Sequence, residues 1–395
     1  MIIKLEQELK KIWLSSPHMS GREYQYVTEA FETNWIAPVG PHLGRFEEKI
    51  SKLALNYSAA ALSSGTAAIH LGLILADVGP GDVVICQSLT FSASANPIKY
   101  LGAHPVFVDS EMDTMNMCPS ELENAIKASM DGVLKNELGG FLKAQLPKAI
   151  IPVHLYGMPA KMNEISAIGE KYGIPILEDA AEAIGSSLDG RPCGTFGKFG
   201  VFSFNGNKII TTSGGGALVS SDDILIQRAR FLSTQARENA VHYEHKVVGY
   251  NYRLSNVSAA IGLGQMEALP DRVNQRRANF EFYKRELGSI SGIGFLAEPE
   301  GFFSNRWLTT IMLDPVLTNS IDRETLRLGL EKFNIESRPI WKPMHLQPIF
   351  ENAPFFGINK NSDRIFENGL CLPSGSNLTT EDLDFVVDKI KKMFG

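Results

Sequence analysis

Lys208 sits in FSFNGNKIITTSGGG, a stretch from Phe202 to Gly216 that joins a β-branched and aromatic run to one amine and then to a glycine triplet. A strand ending in Asn-Gly-Asn requires turn chemistry, and Gly206 is expected to supply a positive φ there. Such a turn holds Lys208 just past a strand end, on a loop fixed by rigid neighbours. A lysine confined in that way does amine chemistry, with Schiff-base formation as the leading form. Considered alone, Lys208 does not displace the ordinary alternative of a solvated lysine on a surface loop.

Two further features bear on it. Ser63-Ser64-Gly65-Thr66 lies between the apolar run Ala59 to Leu62 and the helically spaced AAIHLGLILADV. A hydroxyl-rich turn between strand and helix presents free backbone N–H groups to a phosphate. Asp179, in ILEDAAEAIGS, follows another short apolar run, and Lys208 comes 29 residues later, room for one connection and one strand. Taken singly, the turn is an ordinary helix cap and Asp179 a cap or salt-bridge partner. Taken together, they are the set that pyridoxal phosphate needs: a lysine, a carboxylate beside the pyridine nitrogen, and an N–H-rich phosphate cradle. The carboxylate favours the protonated ring nitrogen, since an opposite charge in contact moves a pKa by about one to three units. Phe91, in SLTFSAS, is the candidate to stack on the ring, with a plain core position as its alternative.

These residues have to be positioned by strands and helices. Val83 to Cys86, Pro105 to Val108, Ala149 to Val153, Ile176-Leu177, Gly200 to Phe204 and Ala217 to Val219 are short apolar runs with little period-2 alternation. Helical patterns lie between several of them, including Pro159 to Tyr172. The class is therefore α/β, with a mainly parallel sheet covered on both faces. Ligands of such sheets bind at the carboxyl ends of the strands. Ser255 is expected to cap a helix from Val257 to Leu269 ended by Pro270, with a charged helix from Asp271 to Leu287 after it. A large unit at 1–267 and a smaller C-terminal α/β unit at 268–395 follow from this. Thr379 and Asp382 have capping-box spacing before a last helix that puts Leu383, Val386, Val387, Ile390 and Phe394 on one face.

Composition narrows the function classes. The 395 residues are 44% hydrophobic and 21% charged, the balance of a globular protein with a large core. A net charge of −6 offers no general attraction for nucleic acid or anionic membrane. The opening MIIKLEQELKKIWLSS has no apolar core of a signal peptide, and no run reaches the roughly 18 apolar residues of a membrane span. Cys86, Cys118, Cys193 and Cys371 are widely spaced, which disfavours disulfides and zinc and suits a reducing cytoplasm. No metal site is expected.

The motifs SSGTAAIH, SLTFSASAN, ILEDAAEAIGS, FSFNGNKIITTSGGGALVS and GYNYRLSNVSAAIGLGQ resemble those of the DegT-type nucleotide-sugar aminotransferases, which are fold-type I pyridoxal-phosphate enzymes. The resemblance runs from about Ser15 to the end of the chain. STQARE (233–238), HYEH (242–245) and IESRPIWKPMH (335–345) most resemble the members that aminate a UDP-linked 4-keto-6-deoxy-N-acetylhexosamine, giving bacillosamine-type precursors. The resemblance implies that Lys208 binds the cofactor aldehyde and shuttles the proton, and that Asp179 pairs with the pyridine nitrogen. It puts Glu182 near the ring hydroxyl, Phe91 on the ring face, and Gly65, Thr66 and Ser203 at the phosphate. Asn251 is expected to reach the phosphate of a neighbouring subunit's cofactor, which implies a homodimer with shared sites. Arg237, Tyr243, His245, Arg338 and His345 are substrate candidates, each balanced by an ordinary surface or interface role.

The expected protein is thus a cytoplasmic homodimeric aminotransferase. L-glutamate donates the amino group, pyridoxamine phosphate is the intermediate form, and a nucleotide sugar receives the amine at C4. The rival readings are an aminotransferase for a GDP- or dTDP-linked keto sugar, a cofactor-free Schiff-base aldolase or lyase, and a cofactor-sensing regulator. The last needs a basic DNA-recognition helix that the chain does not display.

Overall fold

The computed structural model describes residues 10–394. The signal-peptide reading of the first sixteen residues therefore lies, as far as residue 9, outside the described residues. The apolar runs form the expected central sheet. Ser58–Leu62, Gly216–Ser220, Phe199–Ser203 and Leu177–Asp179 are hydrogen-bonded in that order. Ala149–Ile151, Val83–Gln87, His104–Val108 and Phe355–Phe356 form the other half. Parallel bridges Ile150–Ile176 and Val153–Asp179 join the halves. Only Gly216–Ser220 departs from the parallel direction, running antiparallel to both of its neighbours.

Residues within one strand pack to opposite sides, which explains the missing period-2 pattern. Val84 and Cys86 share a core with Ile69 and Leu73 of the Gly65–Leu75 helix. Val83 and Ile85 share another with Leu122 and Ile126 of the Pro119–Met130 helix. Both faces are covered, so both parities are apolar.

The long helix differs from expectation. Pro270 does not end it: one helix runs from Asn256 to Leu287. Proline removes one intrahelical bond. Burial of Leu263, Met266, Leu269, Val273, Phe280 and Tyr283 on both sides of it keeps the helix going. The 267/268 boundary falls inside this helix, which leads from the large sheet into an antiparallel sheet. That second sheet comprises Ile293–Phe295, Thr309–Leu313, Gly369–Leu372 and Arg338–Pro339. The last helix, Thr380–Phe394, has a reciprocal capping box. Thr379 Oγ1 accepts the Asp382 N–H, and Asp382 Oδ2 accepts the Thr379 N–H, both at 3.2 Å. Among the described residues no helix is long and apolar enough to cross a membrane. All four cysteines are free.

Candidate active site

The strands Ser58–Leu62, Leu177–Asp179 and Phe199–Ser203 end at one edge of the sheet, and a cavity of about 740 Å³ opens there. It is lined by Ser63 to Thr66, Phe91, Asp179, Glu182, Ser203 and Lys208, among others. Residues far apart in sequence meet because these three strands run parallel and end on the same side.

One end of the cavity starts from the Gly65–Leu75 helix. Ser64 caps it, its Oγ accepting the Ala67 N–H at 3.0 Å. The ordinary capping role does not exclude an anion there, because the first helical amides still lack intrahelical partners. Ser203 stands opposite. A Cβ on Gly65 would lie 3.2 Å from the Ser203 Cβ, so a side chain there would fill the gap between helix start and hydroxyl. The glycine triplet works by close approach. A Cβ on Gly216 would come within 2.4 Å of the Gly65 nitrogen, so only glycine lets this strand pass beneath the helix start. The left-handed residue of the lysine loop is Ser213, with φ 73°, and not Gly206.

Asp179 is 5% exposed. Its Oδ2 accepts the Ser94 hydroxyl at 2.6 Å, and its Oδ1 accepts the Ala181 N–H at 3.1 Å. Ser94 is in turn bonded to Thr90 Oγ1 at 2.7 Å. The next carboxylate, Glu178, points the other way and is wholly buried. It accepts the N–H groups of Gly194 and Gly197 at 2.8 and 2.6 Å and bonds His154 Nε2 at 3.0 Å. The Ala160 N–H donates to His154 Nδ1, which places the ring proton on Nε2. This buried pair ties the strand ends together behind Asp179.

Lys208 Nζ donates to Glu182 Oε1 at 3.0 Å and lies 4.1 Å from the centre of the Trp307 ring. Glu182 Oε2 accepts the Tyr156 N–H at 2.7 Å. Burial pushes the Glu182 carboxyl up from 4.5 to about 7, against the pull of Lys208. The folded protein thus holds this proton more tightly than the unfolded chain does. The contribution to stability is present below pH 4.5 and is lost as pH rises through about 7. Glu182→Gln is expected to remove that decline. Urea midpoints across the window check it, and an equally steep decline in the variant would refute the assignment.

The other expected residues are distributed unevenly. Phe91 lines the cavity but is 57% exposed, its ring tilted on Trp341 at 5.5 Å. Arg338 lines it too, bonded to Glu336 at 2.9 Å. Arg237, Tyr243, His245 and Asn251 are not among the lining residues. They share one exposed arm, with Arg237 4.2 Å over the Tyr243 ring and bridges Arg237–His245 and Thr234–Asn251. His345 lies outside the lining, packed 3.7 Å from the Phe355 ring and bonded to Ser88 and Asp363. Burial lowers its basicity despite the nearby Asp363. The sequence reading did not single out Ser94, Tyr156, Trp307 or Trp341. Ser94 falls within the quoted motif SLTFSASAN and Trp341 within IESRPIWKPMH, whereas Tyr156 and Trp307 carry no local signal of a site.

A phosphorylated pyridine aldehyde fits this donor set. Ser203 and the Gly65–Thr66 amides suit the phosphate, Asp179 the ring nitrogen, Phe91 the ring face and Lys208 the aldehyde.

Comparison with known proteins agrees. The model of the DegT/DnrJ/EryC1/StrS aminotransferase family matches residues 17–391. EpsN of Bacillus subtilis (strain 168), whose name describes a pyridoxal phosphate-dependent aminotransferase, is 50% identical over 389 residues, covering 98% of this chain and 96% of its own. The GDP-perosamine synthase of Escherichia coli O157:H7 is 33% identical over 386 residues, covering 98% of this chain and 99% of its own. The crystal structure of a family aminotransferase from Brucella abortus superposes with a TM-score of 0.86 at 29% identity, covering 95% of this chain and 96% of that one. The chain belongs to the DegT/DnrJ/EryC1/StrS aminotransferase family, and it is an enzyme of the sugar-transaminase kind.

Proposed function

We propose that the protein moves an amino group from L-glutamate to the C4 ketone of a UDP-linked 4-keto-6-deoxy-N-acetylhexosamine, giving a UDP-4-amino sugar. The observation that carries the transamination is the convergence of Lys208, Asp179, Ser203 and the capped helix start in one cavity. The UDP assignment rests on the resemblance of residues 233–238, 242–245 and 335–345, the last of which borders the cavity through Glu336 and Arg338 to Lys342.

Pyridoxal 5'-phosphate, the family's cofactor, supplies a carbonyl that takes up the amino group and a protonated ring that accepts the electron pair left at the substrate carbon. The chain's own residues do the rest. Ser203 and the helix amides hold the phosphate, Asp179 maintains the positive charge at the ring nitrogen, and Ser94 fixes the carboxylate's direction. Lys208 moves the proton at the substrate carbon, and Glu182 keeps the free amine in place between those events.

The arm carrying Arg237, Tyr243, His245 and Asn251 completes the cavity of a second copy in a homodimer, in this reading. The setting is cytoplasmic, consistent with four free cysteines. A panel of UDP-, GDP- and dTDP-linked 4-keto sugars incubated with glutamate tests the substrate, with 2-oxoglutarate as readout. Turnover of a non-UDP sugar alone would refute the UDP assignment. A GDP-linked sugar is the second reading, favoured by the GDP-perosamine synthases of Escherichia coli O157:H7 and Caulobacter vibrioides at 33% and 34% identity.

A further inference from the structure

Trp307 acts twice on one loop. Its ring face lies 4.1 Å from Lys208 Nζ, and its Nε1–H donates at 2.8 Å to the carbonyl of Asn207, the residue before that lysine. The ring cannot turn from the amine without breaking a bond to the amine's own loop. It is 2% exposed and packed between Tyr156 at 5.9 Å and Trp341 at 6.3 Å, which restrains its rotamer. Ser15 Oγ donates to the same Asn207 carbonyl at 2.7 Å. The buried Arg276 donates to Ser15 Oγ at 3.0 Å and to the Trp307 carbonyl. A closed ring of bonds through Arg276, Ser15, Asn207 and Trp307 therefore backs the lysine loop.

We propose that Trp307 is a positioning residue that holds the protonated Lys208 amine against Glu182 by cation–π attraction. The inference rests on the reading of Lys208 as the reactive amine. During turnover the lysine is released while the amino group is on its way to the sugar. A four-carbon side chain set free in a large cavity has many rotamers, and the indole face limits them to those near the reacting carbon. An aromatic face favours the charged amine, so removing it lowers the amine's basicity.

The other ionisable groups lining the cavity around Lys208 are Glu182, Asp179, Tyr156, Cys371, Glu336, Arg338 and Lys342. Glu182 is in direct contact with the amine, and Arg338 and Lys342 are the other cations of the lining. A change at Trp307 alters none of their charges, so a shift in its variants belongs to the ring.

The test is competitive acetic-anhydride labelling of Lys208 in the cofactor-free full chain, followed against pH by peptide mass spectrometry. Trp307→Leu is expected to lower the Lys208 midpoint by about one pH unit. Trp307→Phe keeps an aromatic face and most of the shift. Ser15→Ala removes one donor to Asn207 and leaves the midpoint where it was. If the leucine variant does not fold, Trp307→Met fills similar space without a ring and carries the comparison. An unchanged midpoint in the folded leucine or methionine variant would overturn the proposal. So would a phenylalanine variant that shifts as far as leucine. The labelling reports basicity whether or not Lys208 performs the reaction, so its outcome is separable from the reading of Lys208 itself.

Discussion

Lys208→Ala is expected to lack the yellow absorbance expected of the cofactor-loaded parent and to slow transamination by about a thousandfold or more. The size follows from two losses at one atom in the proposed mechanism: the nucleophile that would capture the cofactor carbonyl, and the group that would move a proton at the substrate carbon. Among the described residues the other amine lining the cavity is that of Lys342, which is exposed. The substitution also leaves Glu182 buried without its cation, which pushes a carboxyl already near 7 further towards the neutral form. Turnover within tenfold of the parent, measured as 2-oxoglutarate release, would exclude Lys208 as the reactive amine. Partial recovery with added small primary amines would localise the defect to the missing group.

Asp179→Asn should have the second-largest effect, a fall in turnover of roughly a hundred- to a thousandfold. Asparagine keeps the shape and one acceptor for the Ala181 N–H, while its amide faces Ser94, whose hydroxyl then donates to Thr90, so the fold survives. What disappears is the charge proposed to hold the proton on the ring nitrogen. The stability change should stay within about 1–2 kcal/mol, because no buried donor is left without an acceptor. Urea unfolding and glutamate half-reaction rates separate the two effects. A variant that is inactive because it is unfolded, or one that is active at the parent rate, would each contradict this account. Ser94→Ala leaves the charge and removes only its orienting hydroxyl, so its loss should be closer to tenfold.

The sheet was legible because its strands are buried on both faces. Val83 to Cys86 and Ala217 to Val219 carry apolar residues at both parities, and that composition suits strands covered on two sides. The capping box at Thr379 and Asp382 was legible for a similar reason: its chemistry is local. The end of the helix at Pro270 was misjudged, because a local signal met a tertiary one. Proline weakens one turn, whereas the helix is held by buried side chains along both halves. Gly206 was misjudged in the same way, since the positive φ of the lysine loop fell to Ser213.

The sequence by itself determined which residue types were available for chemistry. It held one lysine beyond a strand end, one aspartate at another, and a hydroxyl turn before a helix, each recognisable from its immediate neighbours. Tertiary structure decided which of these share a cavity, and with what. Glu182 faces Lys208, Ser94 faces Asp179, Trp307 lies under the amine, and His345 is packed on Phe355, outside the cavity lining. Spacing along the chain carries no record of those contacts. They arise where strand ends from distant segments converge, and where Trp307 and Trp341 pack beside the cavity at the sheet edge.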